Sequence, residues 1–76
     1  MNTTVAMRIR RGTYADSVVL MRISRSIAGM VGIEDAALMM GTPANLDIMK
    51  AAGLLPAEAE PAASGDLVVG IRAVDD

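Results

Sequence analysis

From Val5 to Arg11 apolar residues alternate with others: Val5, Met7 and Ile9 fall on one side, Ala6, Arg8 and Arg10 on the other. A period of two predicts a half-exposed strand. The next stretch, from Tyr14 to about Ala28, changes period. Leu20, Ile23 and Ile27 recur at helical spacing with Val19 beside them, Arg22, Arg25 and Ser26 take the opposite side, and Gly29 supplies a stop signal. A second strand fits Asp35–Met40 and a second helix Pro43–Ala52. The ends of that helix are well marked. Thr42 is a favoured N-cap, Pro43 suits the first helical position, and Gly53 before Leu54 has the form of a glycine cap with an apolar contact behind it. Pro56–Gly65 has no apolar periodicity and reads as a flexible loop or short linker. Leu67–Val74 is almost continuously apolar, as in a strand covered on both faces.

The order strand, helix, strand, helix, strand predicts one small βαβαβ α/β domain over residues 1–76, with a mainly parallel three-stranded sheet and two helices. A split, ferredoxin-like arrangement is the alternative, although it normally calls for a fourth strand that the pattern does not supply. In either case the last strand belongs inside the sheet unless a partner covers it.

A chain of 76 residues buries a smaller share of its surface than a typical domain, so its stability should be marginal. Its only aromatic residue is Tyr14, which leaves the core to aliphatic side chains and to seven adaptable Met. With so much apolar sequence on so small a core, some apolar surface should stay uncovered, and such surface usually marks association. A homo-oligomer or a larger complex is therefore expected.

Seven basic residues against nine acidic give no general attraction to nucleic acid or to an anionic membrane surface, and neither partner is expected. Cys and His are both absent. Their absence removes disulfides, thiol nucleophiles, thiolate or imidazole metal ligands and the usual proton-transfer side chain. The start of the chain has no signal-peptide-like apolar stretch, and no run approaches a membrane span, so a cytoplasmic location is expected.

The two strand-to-helix junctions look alike. Gly12-Thr13-Tyr14-Ala15-Asp16 and Gly41-Thr42-Pro43-Ala44-Asn45 share a Gly-Thr-x-Ala-[Asp/Asn] pattern, with Thr as the expected N-cap and Asp16 or Asn45 at the third helical position. Capping is the first explanation. The functional reading places both junctions at one sheet edge, where helix N-termini attract anions, and makes Gly12, Thr13, Asp16, Gly41, Thr42 and Asn45 the ligand-binding candidates. Gly41–Asn45 is the better of the two, because Asp16 already supplies negative charge to the first helix. Neither a phosphate-loop lysine nor a GxGxxG accompanies either junction.

Arg8 and Arg10 share a strand face and suit a carboxylate or phosphate, though exposed arginines more often remain solvated or form surface ion pairs. Arg22 and Arg25 read as a solvated helix face, and Met39 and Met40 as packing rather than metal ligands. Tyr14 and Asp16 have no catalytic companions, and Ser17, Ser24 and Ser26 have no base. No catalytic residue and no metal site can be named.

The run from Arg11 to Arg25, RGTYADSVVLMRISR, followed by Asp35–Asn45, DAALMMGTPAN, resembles the amino-terminal segment of FdrA-type acyl-CoA synthetase-like proteins, and the likeness continues through Asp66–Arg72. That family is related to the α subunit of succinyl-CoA synthetase. The resemblance implies acyl-CoA ligase-like or carbamoyltransferase-like machinery, with ligase-like or transferase-like subunits as partners. CoA or a nucleotide would then belong to the wider complex rather than to this chain. The family's catalytic regions lie beyond the segment matched, so no catalytic residue carries over. The expected role is a non-catalytic binding or assembly domain, with an anion-, phosphate- or CoA-binding module at Gly41–Asn45 as the alternative.

Overall fold

A computed structural model describes residues 2–56 and 61–75. Strand β1 (Asn2–Arg10) leads to helix α1 (Ser17–Ala28), strand β2 (Ile33–Met40), helix α2 (Pro43–Ala51) and strand β3 (Leu67–Asp75). The five elements fall where the periodicity places them; their arrangement differs. The sheet order is β1-β3-β2, and β3 runs antiparallel to both neighbours. The expected mainly parallel sheet is therefore not formed. Its place is taken by the split, ferredoxin-like arrangement: β1 and β2 point the same way and β3 fills the gap between them. No fourth strand is present among the described residues.

The reversal has a physical cause in the segment read as a linker. Helix α2 leaves the end of β2 and travels away from it, and Leu54 then packs beside Met49 and Val68 in the core. The chain must return before β3 can begin. It is back at the end of β2 by Ala62–Asp66, where the Gly41 N–H donates to the Asp66 carbonyl at 2.8 Å. Because β3 begins at the rim that β2 has just left, it runs back along β2, and the pair is antiparallel. The expected loop falls partly on residues 57–60, outside those described. In its described part Ala62 packs against the core, and the Pro61 carbonyl accepts from Arg11.

The helices cover opposite faces of the sheet. On one face, Met49 and Leu46 of α2, with Leu54, pack on Ala37, Val68, Met7 and Ile9. On the other, Leu20 and Ile27 of α1 pack on Leu38, Met40, Leu67 and Val69. This explains the continuous apolar run in β3, whose Leu67, Val68 and Gly70 are buried, and the strict alternation in β1, where Thr4, Ala6, Arg8 and Arg10 are exposed. Helix α2 ends in the manner its sequence predicts. Gly53 takes φ +73°, and its N–H donates to the Lys50 carbonyl at 3.1 Å while that of Leu54 reaches the Met49 carbonyl at 2.9 Å. This is the two-bond glycine termination with its apolar residue tucked inward. Arg72 completes it, donating to the Ala52 carbonyl at 2.6 Å and pairing with Glu34 at 2.7 Å.

Candidate functional site

Because β1 and β2 are codirectional, both Gly-Thr junctions leave the sheet at one rim. Arg10 and Met40 each lie opposite Leu67, so the residue just before Leu67 sits between the junctions. That residue is Asp66, buried and polar. Its Oδ1 accepts the Gly12 N–H at 2.9 Å, and its Oδ2 accepts the Ala63 N–H at 3.0 Å and Arg11 Nη1 at 2.9 Å. With its carbonyl on Gly41, Asp66 ties three segments together. The Ala63 and Gly12 amides, and then Arg11, hold its carboxyl below the usual carboxylate range against the opposing effect of burial.

The two junctions match in sequence register but not in structure. At the second, Thr42 is the N-cap as expected, its hydroxyl accepting the Asn45 N–H at 3.2 Å. At the first, the cap is Asp16, whose Oδ1 accepts the Val18 N–H at 2.7 Å, and the Thr13 hydroxyl donates instead to the Arg11 carbonyl at 3.3 Å. The chain leaving β1 has to cross the end of β3 before it reaches α1 over β2, and this longer path takes Thr13 away from the helix start.

The site candidates accordingly separate. Gly12 belongs to the Asp66 knot, Thr13 braces the turn after Arg11, and Asp16 and Thr42 are caps. Gly41 is buried beneath the returning chain: a Cβ there would lie 2.5 Å from the Ala63 carbonyl oxygen and 3.0 Å from the Ala62 Cβ. Asn45 donates from Nδ2 to the Met40 carbonyl at 3.0 Å. The start of α2 thus has its Gly41 and Asn45 amides engaged within the protein, which leaves it a weaker anion trap than a bare helix end.

Beside the rim runs a groove of about 450 Å³, lined by Tyr14, Leu20, Met21, Ser24, residues 36–40 of β2, and Asn45. It follows the outer edge of β2, between α1 and the start of α2. An uncovered strand edge offers its backbone to any other strand. Here side chains occupy that edge: Asp35 accepts the Ala36 N–H at 2.8 Å, Ser24 Oγ accepts the Leu38 N–H at 2.9 Å, and Asn45 takes the Met40 carbonyl. The groove therefore presents mainly apolar side chains and few free backbone groups. Sequence reasoning missed Asp66, whose partners Arg11 and Gly12 lie at the other end of the chain, weighed Ser24 only as a nucleophile, and did not assign Tyr14 to a groove.

The profile of the AllF heavy metal-associated domain matches residues 1–76. The chain belongs to this family. It is also 41% identical over 69 residues to the uncharacterized protein YahF of Escherichia coli (strain K12), a match that covers 91% of this chain and 13% of that protein. The chain thus spans only a small part of the length of this relative. No solved structure matches it. The family match overturns the FdrA-type resemblance: membership lies with the AllF domain, not with an acyl-CoA synthetase-like, succinyl-CoA synthetase-related or ligase-associated segment.

The family description raises the question of a heavy metal, and this chain's donor set does not fit one. Soft and borderline metals take thiolate, imidazole or clustered thioether ligands. The sequence has no Cys and no His, and no group of three or more acidic residues is gathered among the described residues. Met39 and Met40, adjacent on a strand, pack on opposite faces of the sheet. Among the described residues no helix is long and apolar enough to cross a membrane.

Proposed function

We propose that this chain is a non-catalytic ligand-binding module whose working surface is the groove along β2. The observation that carries this reading is the convergence of both junctions on one concavity: Tyr14, Ala15 and Ser17 come from the first, Met40 and Asn45 from the second. Apolar walls with a few polar groups at the ends are the usual composition of a small-molecule site. The ligand that suits it is narrow and largely apolar with a polar terminus near Asn45, such as the pantetheine arm of CoA. An isolated phosphate suits it less, because the Gly41 and Asn45 amides are already engaged. Titration of the ¹⁵N-labelled chain with pantetheine, CoA and inorganic phosphate tests this. Saturable shifts at Tyr14, Leu38, Met40 and Asn45 are expected with the first two ligands only, weakened in Asn45→Ala. Absence of saturable shifts in the groove would refute the reading.

An assembly role is the second reading. Tyr14 and Met21 line the groove yet are 83% and 56% exposed, an apolar stripe along its wall. A partner side chain seated in the groove would cover this stripe as well. Such a partner would shift the same amides in a mixture while pantetheine left them unmoved.

A further inference from the structure

The groove leaves unexplained a second concavity on the α1 side of the sheet, about 630 Å³, lined by Arg8, Ile9, Arg10, Arg11, Thr13 and Val69. Helix α1 covers this sheet face over β2 and the near side of β3, and the β1 side is left open. Arg8 and Arg10 alternate with Ile9 on β1 and so project from one face, about 7 Å apart along the strand. Their cross-strand neighbours are Val69 and Leu67, both apolar. Among the described residues neither guanidinium makes a hydrogen bond or an ion pair, whereas Arg11 at the end of the row is anchored to Asp66 and Pro61. Among the described residues no carboxylate lines the concavity.

We infer that this concavity is a binding site for a small oxyanion, a carboxylate or a phosphate monoester, clasped by Arg8 and Arg10 with its body against Val69. Three arginines within four positions are concentrated on a chain whose net charge is −2, so the positive potential is local. A guanidinium presents a planar fork of donors that matches carboxylate and phosphate oxygens two at a time. Two such forks on one strand face, with an apolar wall on β3, select an anion carrying some apolar body over bare chloride. The same charges repel cations from this end of the sheet, in keeping with the poor fit of the chain to a heavy metal. The site is separate from the β2 groove and does not depend on it.

The test is an NMR titration of the ¹⁵N-labelled chain with succinate, with a phenyl phosphate monoester and, at matched ionic strength, with sodium chloride. The expected result is saturable movement of the Arg8, Arg10 and Val69 amides and of the Arg8 and Arg10 Nε–H signals with one or both oxyanions and not with chloride. The two ligands separate carboxylate from phosphate preference. Arg8→Gln with Arg10→Gln should weaken binding by about tenfold or more, as expected when hydrogen bonds from charged donors are lost. Arg22→Gln with Arg25→Gln should leave it unchanged. Both are exposed changes, and retention of the wild-type amide pattern elsewhere verifies the fold. Shifts that chloride reproduces, or that survive in the Arg8/Arg10 variant, would overturn the assignment.

Discussion

Asp66 and Arg11 meet at 2.9 Å across the rim, a carboxylate whose side chain is 10% exposed against a guanidinium that is 59% exposed. The asymmetry matters. The Arg11 charge is half in water, and exposed ion pairs contribute little. The Asp66 oxygens also accept from two backbone amides, those of Gly12 and Ala63. Asp66→Asn should therefore destabilise the domain far more than Arg11→Gln, since an Asn side chain offers one acceptor and turns a donor toward an amide. The thermal midpoint is expected to drop by about 5 °C or more for Asp66→Asn and by about 2 °C or less for Arg11→Gln. Equal drops would mean that the ion pair, not the amide bonds, holds the rim.

The same carboxyl gives a pH dependence whose sign is fixed. Its pKa is lowered in the folded chain from the ordinary 3.8, so the unfolded chain takes up a proton first as pH falls. The stability contributed by Asp66 is fully present above that ordinary value, declines below it, and is lost once pH falls through the lower folded value. Thermal midpoints measured from pH 7 down to pH 2 should show the gap between wild type and Asp66→Asn constant near neutrality and closing below about pH 4. A gap that widens on acidification would contradict the arrangement.

Gly41→Ala tests the seat of the returning chain. The added methyl would meet the Ala63 carbonyl oxygen, a backbone atom that cannot swing aside. Residues 61–63 would have to lift, and with them the Ala63 amide on Asp66. A loss of about 1–3 kcal/mol is expected, the range for overpacking a filled site. Denaturant melts give the magnitude, and amide shifts at Ala63, Asp66 and Gly12 should report the displacement. A silent substitution would show that this segment does not rest on Gly41.

How much of this was legible in the chain follows from the distance between partners. The strand period around Met7 and Ile9, the Thr42 cap and the Gly53–Leu54 termination are local, and all are present where the pattern puts them. Strand direction is not local. It depended on whether the stretch after Leu54 was a tether or a return path, and its composition shows only that it is irregular. Asp66 carried no signal at all, because Arg11 and Gly12 lie 55 and 54 residues away. The matching Gly-Thr patterns misled for the same reason: Thr13 and Thr42 have similar neighbours in sequence, but only the first junction must cross the end of β3.

Ser24 tests how the β2 edge is protected. Its hydroxyl donates to the Leu20 carbonyl at 2.7 Å and accepts the Leu38 N–H at 2.9 Å, so one side chain joins α1 to the outer edge of the strand. Ser24→Ala removes the acceptor and leaves the Leu38 N–H without one, at a cost of about 1–3 kcal/mol. Because the Leu38 amide then faces the groove, its hydrogen exchange should quicken well beyond that of Val68 in the central strand, and self-association should rise with concentration as the edge becomes available for pairing. Ser24→Thr, which keeps the hydroxyl, should restore slow exchange. If the alanine variant exchanged at the wild-type rate, the edge would owe its protection to the packing of Leu20 and Ile27 alone.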